Sequence, residues 1–140
     1  MRIFLDANIL FSAAKSDGAV RRLLGLLLDR GHDLWIDSYV LEEARRNLAS
    51  KAPEGLPAID KLLSRLHTGA LRAARPAISE DIPLPEKDKP VLPAAIRHRC
   101  EALITGDNTH FGHGKAIGGV RVCSPRSAFE EILEPAAKSE

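Results

Sequence analysis

Apolar residues along the chain follow two spacings, one typical of strands and one typical of helices. Short continuous apolar runs bounded by polar residues predict strands that are covered on both faces. Longer stretches with apolar residues at i, i+3, i+4 and i+7 predict amphipathic helices. The two types alternate, which favours an α/β domain with a parallel sheet that has helices on both faces. The predicted strands are Ile3–Leu5, Leu34–Ile36, 102–105 and Val120–Val122, with a further short strand near 77–78, and the predicted helices are 18–31, 38–51, 59–66, 91–96 and 125–133.

Glycine, serine and proline mark the ends of these elements. Gly31 follows the first predicted helix at the position that a C-terminal cap prefers, and Ser38 stands where an N-cap of the second helix is expected. Residues 108–119 contain four glycines and are predicted to be loop. We expect residues 1–134 to form one domain and residues 135–140 to form a short polar tail.

Composition narrows the functional classes. The chain has 140 residues, of which 44% are hydrophobic and 28% charged, as in a soluble globular domain. Its net charge of +1 provides no overall basic field for nucleic acid. The longest apolar stretch stops at Asp29, well short of the roughly 20 residues of a membrane span. The two cysteines, Cys100 and Cys123, lack metal-site spacing, so we expect a cytoplasmic protein with reduced thiols.

Four carboxylates stand where a parallel sheet binds ligands, outside the carboxyl ends of its strands. Asp6 and Asp107 follow predicted strands, Asp88 precedes a predicted helix, and Glu43 lies at the edge of the apolar face of another helix. Taken singly, such acids are more often helix caps, turn formers or solvated residues. Taken together they would repel one another unless a hard cation such as Mg²⁺ or Mn²⁺ lay between them.

The order of these acids along the chain resembles the PIN-domain family, in particular the bacterial VapC-like toxin ribonucleases. The fourth and fifth of the matching segments are the most specific, and together the five segments span nearly the whole chain. They are FLDANIL (4–10), SYVLEEARRNL (38–48), KDKPVLPAAI (87–96), LITGDNTHFG (103–112) and VRVCSPRSAF (120–129).

The resemblance implies a three-layer α/β/α fold, with a central parallel sheet of about five strands between helices, and a metal-dependent endoribonuclease. In that family one or two Mg²⁺ or Mn²⁺ ions activate water and neutralise charge on the scissile phosphate, and two ions would give 5′-phosphate and 3′-hydroxyl ends. It implies that Asn8 and Thr105 orient the carboxylates or a metal-bound water, and that Asn108 and His110 touch the substrate. It also implies a small antitoxin partner and a homodimer. The acidic cluster would consist of Asp6, Glu43, Asp88 and Asp107.

Two positions depart from the family's pattern. Pro93 stands inside the helix after Asp88 and is tolerated only if that helix begins near Pro90, so that Pro93 lies in its first turn. Position 108 is Asn, so a further acid that relatives use in this loop would be lacking, which would weaken a second ion site. His113 lies in the same glycine-rich loop, where contact with solvent or substrate is a more common role than metal binding.

Local charge provides a candidate surface for RNA. Residues 88–126 contain three acids and six basic residues, so this half could form a basic rim around the acidic cluster. Such contacts provide affinity without sequence information. The basic residues are Lys89, Arg97, Arg99, Lys115, Arg121 and Arg126.

Three other interpretations stay open at this stage. A phosphatase of the HAD type also begins with an Asp after the first strand, but needs a second Asp where this chain has Asn8. A non-catalytic PIN-like module that binds RNA or protein is the main alternative. Some relatives are processing nucleases rather than toxins, and the sequence does not distinguish the two.

Overall fold

The computed structural model describes residues 1–69, 91–106 and 116–133. Its strands are β1 (Arg2–Leu5), β2 (Asp33–Asp37), β3 (His67–Gly69), β4 (Ala102–Ile104), β5 (Ala116–Ile117) and β6 (Val120–Cys123). They form one sheet in the order β3-β2-β1-β4-β6-β5, in which only the last pairing is antiparallel. The predicted α/β class with five parallel strands is therefore confirmed, and a two-residue antiparallel strand is added at one edge.

The helices are α1 (Ala7–Lys15), α2 (Ala19–Asp29), α3 (Ser38–Lys51), α4 (Leu56–Leu63), α5 (Val91–Arg97) and α6 (Pro125–Ala128). A short 3-10 turn covers Pro53–Gly55, and a π-helical turn, Phe129–Leu133, continues α6. Helix α1 packs against α2, α3 and α4, whereas α5 packs on β4 and β6. The first strand, β1, lies between β2 and β4, and its residues Ile3, Phe4 and Leu5 are fully buried. No described helix is long and apolar enough to cross a membrane.

The ends of two helices show how local chemistry sets the boundaries. Gly31 has a φ of 86° and its N–H donates to the Leu28 carbonyl, while the His32 N–H donates to the Leu27 carbonyl. This arrangement is a Schellman motif, so the predicted glycine cap is confirmed. The predicted N-cap Ser38 is wrong, because β2 extends to Asp37 and the Asp37 carboxylate accepts the Val40 N–H at 3.0 Å.

Several elements differ from the prediction. Helix α1 and strand β3 were not predicted, and α4 ends at Leu63 rather than at residue 66. Strand β5 lies inside the predicted loop 108–119, because Gly118 and Gly119, with φ of 60° and 83°, form a tight turn into β6. Pro93 is the third residue of α5, which confirms that it lies in the first turn. The predicted strand near 77–78 and the predicted tail 135–140 lie outside the described residues.

Candidate active site

The carboxyl edge of the sheet, where β1, β2, β4 and β6 end, is the place at which the predicted site residues meet. Asp6 follows β1 directly, and only 5% of its surface is exposed. Its Oδ1 accepts the Ala7 N–H at 2.7 Å, so the carboxylate caps α1, and its own N–H donates to the Ile104 carbonyl at 3.0 Å. Asp6 is therefore held between two neighbouring strands at the centre of the sheet.

Thr105 binds the second oxygen of the same carboxylate. Its side-chain Oγ1 donates to Asp6 Oδ2 at 2.8 Å, and Thr105 is fully buried. The Thr105 N–H donates to the carbonyl of Cys123 at the end of β6. The end of β4 thus links the ends of β1 and β6, so the orientation of Asp6 depends on three strands.

Asn8 connects the pair of Asp6 and Thr105 to Gly106, the residue that follows Thr105. Its Oδ1 accepts the Gly106 N–H at 2.9 Å, and its Nδ2 lies 3.5 Å from Thr105 Oγ1. Gly106 is the last described residue before residues 107–115, which the structure does not describe. Asn8 therefore fixes the backbone at the start of the segment that carries the predicted Asp107.

Glu43 lies on the second turn of α3. Its side chain is half-buried whereas Glu42 is exposed, which confirms the prediction that Glu43 is the member of the pair turned away from solvent. Among the described residues, Glu43 is not part of the hydrogen-bond network of Asp6, Thr105 and Asn8.

A second buried carboxylate stands beside Asp6 and was not selected from the sequence as a site candidate. Asp37 is fully buried at the end of β2. The register that pairs Phe4 with Trp35 brings Asp6 next to Asp37 two residues further along. The Asp37 carboxylate binds the first turn of α3. The signal that could have found it is the acid at the end of an apolar run, the same feature that pointed to Asp6.

The rest of the predicted site lies outside the described residues. In the described ranges, no group of three His, Cys, Asp or Glu side chains could hold a metal ion. The four-carboxylate cluster therefore stays a prediction. The predicted residues that lie outside the described ranges are Asp88, Asp107, Asn108, His110 and His113, together with the basic residues Lys89 and Lys115.

The chemistry around Asp6 fits a divalent cation. Among the described residues, the Ala7 N–H donates to one oxygen of its carboxylate and the Thr105 hydroxyl donates to the other. A carboxylate oxygen can accept more than one such bond. Both of these donors are neutral, so they orient the carboxylate without bringing a charge to it. Carboxylate oxygens of this kind are the ligands that Mg²⁺ and Mn²⁺ prefer.

The basic rim is wrong for three of its described members. Helix α5 runs from the carboxyl edge to the opposite edge of the sheet, so Arg97 and Arg99 lie away from Asp6. Arg121 pairs with Ala102 at the start of β4, also at the opposite edge. Only Arg126, which lies in α6 and is 90% exposed, stands at the carboxyl edge among the described residues of this set.

The cysteines have no features of nucleophiles. Burial raises the pKa of the Cys100 thiol to about 12, and burial also raises the pKa of Cys123. A neutral, buried thiol is a poor nucleophile, because the thiolate is the reactive form. The carboxylates at the carboxyl edge are therefore the better candidates for chemistry.

Comparison with known proteins gives a matching family model and related solved structures. A family model described as PIN domain matches residues 2–109. A chain in the crystal structure of VapBC2 from Rickettsia felis, bound to a DNA fragment from their promoter, is similar at a TM-score of 0.64 and 20% sequence identity. That match covers 89% of this chain and 98% of the other, and at this identity it shows the fold alone. No curated protein matches the sequence.

Proposed function

Because the chain belongs to the PIN-domain family, we propose that it is a metal-dependent endoribonuclease that hydrolyses phosphodiester bonds in RNA. The observation that carries this proposal is the buried Asp6 carboxylate at the end of the central strand. Two neutral donors, the Ala7 N–H and the Thr105 hydroxyl, hold it in place. A buried carboxylate that neutral donors hold in a fixed direction is suited to binding a cation.

The metal-binding set proposed here is Asp6 and Glu43, with Asp88 and Asp107 from the undescribed part of the chain. One or two Mg²⁺ or Mn²⁺ ions, when bound, supply the Lewis acid for phosphodiester hydrolysis. Asp6 contributes a carboxylate whose direction is set before any ion arrives, which lowers the entropic cost of binding. Glu43 contributes a second carboxylate from a helix that begins at the same edge.

Thr105 and Asn8 are positioning residues in this proposal. Thr105 fixes the rotation of the Asp6 carboxylate through its hydroxyl. Asn8 accepts the Gly106 N–H and so fixes the backbone from which Asp107 follows. Asn108 and His110, in the same segment, are proposed to contact RNA.

We further propose that this nuclease is the toxin of a toxin–antitoxin pair, that a small antitoxin protein holds it inactive, and that it forms a homodimer. The family resemblance supports these proposals, and the related fold comes from a complex named VapBC2. Light scattering of the purified chain, alone and with the candidate antitoxin, tests both assemblies. A single monomeric species under both conditions would refute them.

The test of nuclease activity uses the purified chain without any antitoxin. A mixture of structured RNAs is incubated with the protein in Mn²⁺, in Mn²⁺ with excess EDTA, and in Mn²⁺ with the Asp6→Asn variant. We expect cleavage only in the first reaction, with 5′-phosphate and 3′-hydroxyl ends. Asp6→Asn is a matched control, because an amide can still accept the Ala7 N–H and can donate to the Thr105 hydroxyl, so the fold should persist.

Calorimetry with Mn²⁺ separates the possible failures. Metal binding without cleavage would indicate that the mixture lacks the substrate, and a wider set of RNAs would then be assayed. Absence of both metal binding and cleavage would overturn the catalytic proposal and leave a PIN-domain module that binds RNA or protein.

A further inference from the structure

Tyr39 lies beside the proposed centre, in the first turn of α3. This helix begins at the end of β2, the strand next to β1, and Asp37 at that junction is the neighbour of Asp6 across the sheet. Tyr39 follows Asp37 by two residues and so stands at the carboxyl edge. No role has been assigned to it so far.

Tyr39 shares a face of α3 with Glu43. Residues four apart on a helix lie above one another, with Cβ atoms about 6 Å apart. The adjoining face of α3 is closed, because Val40, Ala44 and Leu48 are fully buried. Tyr39 is therefore one helical turn nearer to the edge of the sheet than Glu43, on the same half-open side of the helix.

The exposure of Tyr39 distinguishes it from the other described rings near the sheet. Its surface is 36% exposed, whereas Phe4 is fully buried and Trp35 is stacked between His67 and His98. Phe129 is similarly exposed, at 39%, but it lies on the π-helical turn after α6, beyond β6. Tyr39 is thus a partly exposed ring at the carboxyl edge, one helical turn from Glu43.

We propose that Tyr39 stacks against a base of the RNA strand next to the scissile phosphate. The inference rests on the proposed nuclease function and adds a substrate contact to it. Single-stranded RNA is held by base stacking on aromatic side chains together with phosphate contacts. The acidic edge cannot attract phosphate by itself, and Arg126 is the one described member of the predicted basic set that stands there. A base stacked on Tyr39 would add binding energy at this edge.

Stacking would also restrict the substrate. A base on Tyr39 must be unpaired, so the proposed site favours single-stranded or looped RNA over a duplex. Every base has an aromatic face, so this contact orients the strand without choosing a sequence.

The test measures RNA binding without cleavage. A short fluorescein-labelled single-stranded RNA of mixed sequence is titrated with the protein in EDTA, and its anisotropy is recorded. We expect Tyr39→Ala to weaken binding about 5-fold or more, and Tyr39→Phe to bind within about twofold of the original chain, because the ring is kept. Tyr39→Leu, which keeps apolar bulk without a flat ring, should behave like Tyr39→Ala and covers the case in which the alanine variant does not fold.

Two controls make the result specific to stacking and to this position. A strand of the same length that lacks its bases should bind Tyr39→Ala and the original chain equally well. Phe129→Ala, which removes an equally exposed ring elsewhere, should leave affinity unchanged.

Equal affinity of the original chain and Tyr39→Ala for the RNA with bases would overturn the inference while leaving the nuclease proposal intact. The same holds if Tyr39→Ala loses affinity for the baseless strand as well. If the original chain binds no RNA and cleaves none, the inference and the nuclease proposal fail together.

Discussion

Replacing Thr105 by valine removes the only hydroxyl that the described structure places on the Asp6 carboxylate. The Thr105 Oγ1 to Asp6 Oδ2 distance is 2.8 Å, and both residues are buried. A hydrogen bond to a charged group contributes roughly 1.5–3 kcal/mol to stability, and the new methyl group also shields the carboxylate oxygen from water. We therefore expect Thr105→Val to lower the free energy of unfolding by about 2 kcal/mol, which corresponds to roughly 8 °C in melting temperature for a domain of this size.

The measurement is urea unfolding at neutral pH, followed by the fluorescence of the single tryptophan, Trp35. The same substitution is repeated in the Asp6→Asn background, where the partner of the hydroxyl is a neutral amide. There the cost of Thr105→Val should fall to about 1 kcal/mol, because neutral hydrogen bonds contribute less. The difference between the two backgrounds is the coupling between the two side chains.

An equal cost in both backgrounds, within about 0.5 kcal/mol, would refute this reasoning. It would mean that the loss comes from packing of the valine and not from the bond to the carboxylate. Thr105→Ser, which keeps the hydroxyl and removes one methyl group, provides the matched control for packing. Its cost should be the same in both backgrounds.

Three further predictions concern the scaffold around the site. Asp37→Ala should destabilise the protein by about 1–2 kcal/mol through loss of the α3 cap, whereas Asp37→Asn should retain most of that stability; urea unfolding of the two variants distinguishes capping from loss of buried volume. Gly69→Ala should lower the melting temperature, because a Cβ there would overlap the His98 ring, and adding His98→Ala should restore part of the loss. Burial raises the pKa of the Cys100 thiol from 9.0 to about 12, so the unfolded chain loses this proton first as the pH rises. The contribution of Cys100 to stability should be complete below pH 9 and decline between pH 9 and 12. An unchanged alkaline decline in urea unfolding of a Cys100→Ala variant would contradict this assignment.

The sheet could be predicted from the sequence because each of its central strands contains a continuous apolar run that indicates a strand without help from its neighbours. Once the strands are known to be parallel, Asp6 and Thr105 must lie at the same edge of the sheet, and the pairing of β1 with β4 brings them into contact. Strand β3 could not be found this way, because its His-Thr-Gly sequence has no apolar run and its pairing with β2 creates the strand. Helix α1 is short, and its buried positions cover too few turns to show a period.

Two errors have a common physical cause. Asp37 and Ser38 are both good N-cap residues, so residue preference does not distinguish them. Strand β2 extends by pairing to Asp37, and this makes Asp37 the cap. The basic rim failed because charge was counted along the chain, while the direction of α5 and the register of β6 send Arg97, Arg99 and Arg121 to the edge opposite Asp6. Tertiary placement separated residues that are close in sequence.

The position of β1 between β2 and β4 has a consequence for synthesis of the protein. Strand β1 is synthesised before β4, so the Asp6 N–H and one oxygen of the Asp6 carboxylate meet their partners, Ile104 and Thr105, only when a segment about a hundred residues further along has been made. Contacts of such large sequence separation form late in folding, because their loop must close first. A nascent chain that stops before β4 contains Asp6 and its local donor, the Ala7 N–H, but lacks Thr105, which binds the second carboxylate oxygen. The full orientation of Asp6 is therefore acquired with the pairing of β1 and β4, and not with the synthesis of β1 itself.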